Sequence, residues 1–558
     1  MKANVDVQPG YAGLAEAFRT EGCDTYFVLL GTSNMHWSAV LSGYDGVRAF
    51  HVRHEHCAVA MAMGYAVASG KVGVASVTCG PGFTQIVTAL TGAVQSRTPL
   101  IVFAGEPPLT RAWDNQRVDQ AALTNATGAH YIAIHAISRM YEQVREAFHM
   151  ARAQRRPVVL AMPSDLQREA IPPGLRPLPS ADVLPQPLPS PPNPASVRFL
   201  VDKLCGAKVP IMIAGRGAVA ANAEIAIEAL ADRSGALLAT TLPARGLFDH
   251  NRYALGIAGG FAREAAREVF LKADLVVTFG ASLTSFTTDG GDLFPGAYVI
   301  QVDTDPKGLY HGRKAADYYV RADAKLTAEA VLEGLASTGA TAASIRTEAL
   351  AKRLRDFPAH PTQFAIPDGT IDPRDLISVL DDVVPKDWAI VSGAGHQGYF
   401  HTQMRHRSPR DYHVIREFGA IGNGLSFAVG VAAARGDGRV IVFDGDGGIM
   451  MNIQELDTIA RHKLRLIICC LNDGGFGSEF HRLAAEGIDE TGSRHGRTDI
   501  AKIARGFGIR GRTITSTAEL AAVFAEFKQQ EQSELWNVQI ADTVISPETL
   551  RELKKAGH

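Results

Sequence analysis

Residues 439–477 read RVIVFDGDGGIMMNIQELDTIARHKLRLIICCLNDGGFG. Two apolar runs, RVIVF and RLIICCL, each lead into an Asp–Gly turn, and a helical segment at about 453–462 lies between them. A strand–helix–strand unit places its two strands in parallel, with their carboxyl ends at the same edge of a sheet. Asp446 and Asp473 follow those ends, so the sequence predicts that the two carboxylates meet in space.

The chemistry of this motif favours a metal ion bound to a diphosphate. Hard carboxylate oxygens lie beside exposed glycine backbone at 447–448 and 474–475, which suits a divalent cation and the phosphate groups it holds. Neither half of the motif contains histidine or cysteine, which favours magnesium. A lone GDGG would more often be a tight turn and Asp473 a helix cap, but both halves at this spacing favour the metal site.

The same alternation of strand-like and helix-like segments recurs along the whole chain. Short apolar runs end in glycine-rich turns and precede alanine-rich helical stretches, as at VGVASVT (72–78), PLIVFAGE (99–106), VPIMIAG (209–215), ADLVVTFG (273–280), YVIQVD (298–303) and WAIVSG (388–393). Apolar strands alternating with helices indicate an α/β fold with parallel sheets covered by helices on both faces. Ligands of such sheets bind outside the carboxyl ends of the strands, where these glycine turns lie.

Composition divides the 558 residues into three domains. Ten prolines between Ile171 and Pro194 exclude helix and inner strand and indicate an extended linker. A second linker spans 336–371. The predicted domains are therefore 1–170, 195–335 and 372–545, followed by a tail at 546–558.

Composition also narrows the class of protein. Apolar residues make up 46% and charged residues 20% of the chain, and the net charge is −2, without a basic block that would indicate nucleic acid or anionic lipid. The six cysteines form no CxxC pair, and no apolar run is long enough to span a membrane. We expect a soluble, cytoplasmic protein.

The opening stretch resembles the signature of thiamin diphosphate enzymes of the acetolactate synthase and pyruvate decarboxylase superfamily. The resemblance implies that Asp446, Asp473 and the backbone carbonyl of Gly475 ligate the metal. It also implies that Gly447, Gly448, Phe476 and Gly477 lie against the cofactor. The family usually has asparagine where this chain has Asp473, so an additional negative charge faces the diphosphate.

The N-terminal run HVRHEHCAVAMAMGYAVASGKVGVASVTCGPG (51–82) resembles the family's pyrimidine-binding domain. Glu55 is at the position of the catalytic glutamate, and Gly80 lies in the following loop. A carboxylic acid that shares a proton with ring nitrogen N1′ shifts the aminopyrimidine towards the imino form, which takes the C2 proton. Alone, Glu55 would more often begin a charged surface helix, and we assign no role to His54 or His56.

Three further segments match the family. Gly395, His396 and Gln397 resemble a loop that touches the diphosphate. The carbonyl of Gly419 would hold the 4′-amino group, and Ile421 would wedge between the two rings and press the amino nitrogen against C2. Gln120 matches a glutamine near the reacting carbon.

The resemblance leaves the substrate open. It implies at least a homodimer, and a tetramer is expected; the central domain is compatible with FAD, an ADP-containing group or no ligand. Acetolactate synthases carry Phe before the glutamine and a Trp beyond the second cofactor loop, whereas this chain has Asp119 and GSEFHRL (477–483). The predicted substrate contacts are Glu479, His36 and His481.

Three hypotheses follow. The first is decarboxylation of a 2-oxo acid, with protonation of the acyl unit or its transfer to a second carbonyl. The second is cleavage of an acyloin or 1,2-diketone without decarboxylation. The third is a non-catalytic, cofactor-binding relative, against which Glu55 argues. A nicotinamide dehydrogenase fits less well, because no GxGxxG opens a helix after a strand.

Overall fold

Three six-stranded sheets, each entirely parallel, organise the residues that the structure describes. The structure is a computed structural model and describes residues 8–310, 312–339, 343–356 and 361–556. Helices flank each sheet, so the predicted α/β class with three parallel sheets is confirmed. None of the helices in these ranges is long and apolar enough to cross a membrane.

The N-terminal sheet has the strand order β2-β1-β3-β4-β6-β5. Its strands are β1 Thr25–Val28, β2 Arg48–His51, β3 Gly73–Val77, β4 Leu100–Glu106, β5 His130–Ala133 and β6 Pro157–Pro163. Its helices are α1 Gly10–Thr20, α2 Met35–Leu41, α3 Glu55–Ser69, α4 Pro81–Thr84, α5 Val87–Gln95, α6 Gln120–Thr127 and α7 Met140–Gln154.

The middle sheet has the order β12-β11-β10-β7-β8-β9, in which the chain reverses its direction of progression between β7 and β10. Helix α8, Ser180–Val183, precedes it, and its strands are β7 Pro210–Ala214, β8 Leu237–Thr240, β9 Ala254–Ile257, β10 Leu275–Phe279, β11 Tyr298–Asp303 and β12 Tyr318–Arg321. Its helices are α9 Pro194–Gly206, α10 Arg216–Ala220, α11 Glu224–Ser234, α12 Glu264–Phe270, α13 Ser285–Thr288, α14 Lys307–Tyr310, α15 Ala324–Ala336 and α16 Glu348–Asp356.

The C-terminal sheet, β14-β13-β15-β16-β18-β17, repeats the order of the N-terminal one. Its strands are β13 Ala389–Ser392, β14 Tyr412–Val414, β15 Val440–Gly445, β16 Ile467–Asn472, β17 Arg510–Ile514 and β18 Glu534–Gln539. Its helices are α17 Pro373–Val383, α18 Gly424–Arg435, α19 Asp446–Met451, α20 Glu455–Arg461, α21 Gly477–Ala485, α22 Ile500–Gly506, α23 Leu520–Lys528 and α24 Pro547–Ala556.

Two differences from the sequence-based expectations concern short helices. The four-residue α8 lies inside the proline-rich segment, because Ser180–Val183 contains no proline and the backbone N–H of Ser180 donates to Glu21 Oε1 at 2.7 Å. The segment predicted as a tail forms α24, which packs against α21.

Helices α3 and α18 pack against each other and join the N-terminal sheet unit to the C-terminal one. Both helices are apolar around their whole circumference and contribute to one shared core. They cross where glycine allows backbone contact: a Cβ on Gly64 would lie 2.0 Å from the carbonyl oxygen of Phe427, and one on Gly430 would lie 1.9 Å from that of Met61. The carboxyl edges of the two sheets are thereby fixed relative to each other.

Candidate active site

The two acidic residues of the motif meet where β15 and β16 end. These strands are parallel neighbours with Gly445 opposite Leu471, and the predicted intervening helix is α20, Glu455–Arg461. The backbone N–H of Gly474 donates to Asp446 Oδ2 at 3.2 Å. The prediction that the carboxyl ends of the two strands share one edge is confirmed, and the turn after β16 hydrogen-bonds to Asp446 across it.

For both acidic residues of this pair, burial outweighs the protein groups that compensate their charge. Burial, and then the charge of Asp446, raises the pKa of Asp473 well above its usual range. Burial also raises the pKa of Asp446, although His495 and backbone N–H groups oppose the shift. Among the described residues no group donates a hydrogen bond to the buried Oδ1 of Asp446. A buried and a half-buried carboxyl group on neighbouring turns, with one oxygen lacking a donor, fit a divalent cation.

A cleft of about 1270 Å³ opens above this pair. All the residues predicted on the diphosphate and metal side line it: Gly395, His396, Gln397, Gly419, Ile421, Asp446, Gly447, Gly448, Asp473, Gly475, Phe476, Gly477 and Glu479. The cleft continues between the C-terminal and middle sheets to the loops that follow β7 and β10.

The loop after β13 is held open towards the cleft. Gly395 has φ 133°, in the region that only glycine occupies readily. His396 Nε2 accepts a hydrogen bond from the backbone N–H of Ser546 at 3.0 Å, and Gln397 Nε2 donates to Asp444 Oδ1 at 3.1 Å. Burial raises the pKa of Asp444 to about 7. The loop is therefore fixed on both sides before any ligand binds.

Glu55, Gly80 and Gln120 form a second group at the carboxyl edge of the N-terminal sheet. Glu55 begins α3 with its Oε1 beside Gly82, on which a Cβ would lie 3.2 Å from that oxygen. The backbone N–H of Gly80, at φ 63°, donates to Gln120 Oε1 at 3.3 Å, and Gln120 Nε2 donates to the Gly105 carbonyl at 3.1 Å. None of the three predicted residues lines the cleft in the same chain.

The predicted substrate contacts differ in their placement. Glu479 is exposed and lines the cleft. His36 instead packs its ring on Tyr11 of α1, with the centroids 5.3 Å apart. His481 is buried, its ring lies 4.9 Å from that of His396, and burial followed by the charge of Arg494 lowers its pKa to about 4.

Several polar residues next to the site had no predicted role. His56 Nε2 lies 2.5 Å from Asn423 Oδ1, directly after the Gly419–Gly422 loop. Asn452 Nδ2 donates to the carbonyl of Gly422 at 2.7 Å, and Cys57 Sγ donates to Asn452 Oδ1 at 3.2 Å. The only sequence signal for these contacts was proximity to a motif, which does not specify a partner.

Three models of one family match the chain in order. They describe the N-terminal thiamine pyrophosphate-binding domain over residues 9–126, the central domain over 197–331 and the C-terminal thiamine pyrophosphate-binding domain over 393–538. The chain belongs to the thiamine pyrophosphate enzyme family. Thiamine pyrophosphate is the same compound as thiamin diphosphate, the name kept below.

Curated relatives of this thiamin diphosphate enzyme are acetolactate synthase large subunits. The one from Parasynechococcus marenigrum (strain WH8102) is 29% identical over 528 residues, which cover 91% of this chain and 83% of the relative. The isozyme 2 large subunit from Escherichia coli (strain K12) is 27% identical over 546 residues, 95% of each chain. The protein is thus a thiamin diphosphate-dependent enzyme of the acetolactate synthase type, which sets the non-catalytic hypothesis aside.

A solved structure shares the fold of this thiamin diphosphate enzyme. The thiamine diphosphate-dependent 4-hydroxybenzoylformate decarboxylase of Rhodococcus jostii RHA1 superimposes with a TM-score of 0.80 over 96% of this chain and 99% of that chain. At 21% identity, this likeness concerns the three-domain architecture alone.

Proposed function

We propose that the protein is a magnesium- and thiamin diphosphate-dependent lyase or carboligase that acts on a 2-oxo acid. The reaction would release CO₂ and then either protonate the acyl unit or transfer it to a second carbonyl. The observation that carries this proposal is one cleft lined by all the predicted diphosphate and metal residues, with the acidic side chains of Asp446 and Asp473 at its base.

The residues that line the cleft fit Mg²⁺ and thiamin diphosphate. Asp446, Asp473 and the carbonyl of Gly475 would hold Mg²⁺, and the glycine-lined walls leave room for a diphosphate. Among the described residues no cluster of three or more acidic, histidine or cysteine side chains could hold a metal ion, so a cation would take its remaining oxygens from backbone, diphosphate and water. Thiamin diphosphate, when bound, would supply an acidic carbon whose deprotonated form adds to a carbonyl, and a ring that stabilises the resulting charge.

The protein's contribution is to position groups and move protons. Glu55 would hold a proton at N1′ of the aminopyrimidine, and the carbonyl of Gly419 would accept a hydrogen bond from the 4′-amino group. Ile421 presents an apolar side chain to the cleft, where it would keep the cofactor bent. Glu479, exposed in the cleft, would exchange protons with the substrate.

A second copy of the chain would complete each site. Glu55, Gly80 and Gln120 lie outside the cleft of their own chain. Exposed apolar side chains surround both halves: Leu30, Met35, Leu109 and Trp113 beside the glutamate half, and Phe418, Met450 and Met451 beside the cleft. Apolar surface of this kind at a functional edge favours burial against another copy, so we infer at least a homodimer, and a tetramer as an extension of it.

Complementation tests the shared site. Glu55→Gln and Asp446→Ala chains would each be inactive alone. In randomly mixed dimers half the molecules combine one chain of each kind, and each of these holds one intact site, so activity returns to about a quarter of wild type. No recovery in mixed dimers would show that each site is built within one chain.

The middle-sheet half of the cleft suits a phosphate-bearing nucleotide. It lies at the β7–β10 reversal, where such folds bind dinucleotides. Four cations line it: Arg97, Arg155, Arg216 and Lys307. Burial, and then the charges of Arg97 and Arg216, lowers the pKa of Lys307, and an anion would relieve that repulsion. We propose FAD or an ADP-containing group as the occupant.

The colour and ligand response of the purified protein distinguish these occupants. Flavin absorbance that is released on denaturation identifies FAD. A colourless protein whose unfolding temperature rises with ADP identifies the other class, and this rise should vanish in Arg155→Ala but not in the surface control Arg439→Ala. Absence of both responses would contradict a nucleotide site.

The substrate class is tested by measuring CO₂ release. A panel of 2-oxo acids with different side chains, supplied with Mg²⁺ and thiamin diphosphate, should include at least one that releases CO₂. Cleavage of acyloins or 1,2-diketones without any CO₂ release from the panel would favour the second hypothesis.

The six free thiols are consistent with the predicted cytoplasmic location, which fractionation of cells tests.

A further inference from the structure

Asp444 lies directly beneath the part of the cleft where the diphosphate would bind. It is on β15, two residues before Asp446, and pairs with Cys470 of β16. Only 1% of its surface is exposed, yet it lines the cleft. The strand is internal, so the Asp444 side chain is surrounded by loops that follow neighbouring strands.

The carboxylate of Asp444 contacts three backbone segments beside the cleft. A Cβ on Gly393, Gly424 or Gly448 would lie 2.8, 2.2 or 2.8 Å from its oxygens. These glycines belong to the loop after β13, the first turn of α18 and the first turn of α19. Asp444 is thus the one side chain, among the described residues beside the cleft, that touches all three.

Hydrogen bonds fix the orientation of this carboxylate. Oδ1 accepts from Gln397 Nε2 at 3.1 Å and from the backbone N–H of Gly445 at 3.0 Å. Oδ2 has no hydrogen-bond partner among the described residues. Gln397 also donates to the Ala394 carbonyl at 3.0 Å, so the carboxylate holds the loop through a side chain as well as by direct contact.

We propose that Asp444 is a positioning residue that sets three backbone segments around the cleft at the spacing required by the cofactor. This inference rests on the proposed function. Asp444 acts through Gln397 and through the glycine backbone, and it takes no part in the chemistry at the reacting carbon. An apolar side chain could fill the space but could not accept the two hydrogen bonds, so the segments would separate.

The test compares Asp444→Ala with Ser533→Ala. Ser533 is also buried and hydrogen-bonded, but it contacts the opposite, amino end of β16. At saturating Mg²⁺, Asp444→Ala should raise the Kd for thiamin diphosphate by about 10- to 100-fold, which is the usual effect of removing a residue that orients binding groups. The kcat at saturating cofactor should be nearly unchanged. Ser533→Ala should leave this Kd at the wild-type value.

Hydrogen–deuterium exchange of the cofactor-free chain gives a second readout. Peptides that contain Gly393, Gly424 and Gly448 should all exchange faster in Asp444→Ala than in Ser533→Ala. If the alanine variant does not fold, Asp444→Asn replaces it: the amide keeps one acceptor but places N–H groups against Gly424, so a smaller increase in Kd, about threefold to tenfold, is expected.

The outcomes separate the two proposals. A folded Asp444 variant with wild-type Kd and wild-type exchange overturns the positioning role. A fall in kcat with unchanged Kd also overturns it. If the wild-type chain itself does not bind thiamin diphosphate with Mg²⁺, the proposed function is wrong. The inference about Asp444 then falls with it.

Discussion

Asp473→Asn should stabilise the metal-free protein and reduce its response to magnesium. Two unit charges 4 Å apart repel each other by about 4 kcal/mol at an effective dielectric constant of 20, which is the ceiling for the gain. The pair already lowers this cost by retaining protons, since burial and mutual charge raise both pKa values. We therefore expect a gain of about 1–3 kcal/mol in EDTA.

Thermal unfolding with and without Mg²⁺ and thiamin diphosphate measures this effect. The wild type should gain more from the ligands than Asp473→Asn does, because the variant brings one negative charge fewer to the cation. Asp382→Asn, which removes an exposed carboxylate of the same domain, should shift neither value. If Asp473→Asn unfolds at a lower temperature than wild type in EDTA, the reasoning about charge repulsion is refuted.

Three further predictions follow. Ile421→Ala should lower kcat by about 100-fold while the Kd for thiamin diphosphate changes little; an equal loss in both would contradict its role in bending the cofactor. Gly430→Ala should destabilise the protein by about 3 kcal/mol or more in urea unfolding, because its Cβ would lie 1.9 Å from the Met61 carbonyl. Burial, and then Arg435, lowers the pKa of His413 to about 4. The unfolded chain therefore binds more protons below pH 6.5, and His413 costs about 2 kcal/mol of stability at pH 5, which His413→Gln should abolish.

The diphosphate side of the site could be predicted because it follows from one strand–helix–strand unit. Asp446 and Asp473 each come directly after an apolar strand, and parallel neighbours bring such positions together whatever the side chains do. Gly395 and Ile421 were found by their resemblance to family loops. The order of the strands in each sheet was not predicted, because it depends on which apolar faces pack and not on periodicity.

The remaining features depend on three-dimensional packing. Asp444 stands within the same FDGDGG run as Asp446, yet only the structure shows three loops converging on it. His56 was assigned no role because its partner, Asn423, is 367 residues away in the sequence. Similarly, the exclusion of Glu55 from the cleft of its own chain follows from how α3 packs on α18, for which the sequence contains no local signal.

Binding of thiamin diphosphate tests the central claim most directly. Protein freed of ligands with EDTA should bind about one thiamin diphosphate per chain when Mg²⁺ is supplied and none without it, as measured by isothermal titration. Glu55→Gln should bind the cofactor as well as wild type does, while exchange of the C2 proton, followed by NMR, slows by about 100-fold or more. A wild-type chain that binds no thiamin diphosphate in the presence of Mg²⁺ would contradict the account.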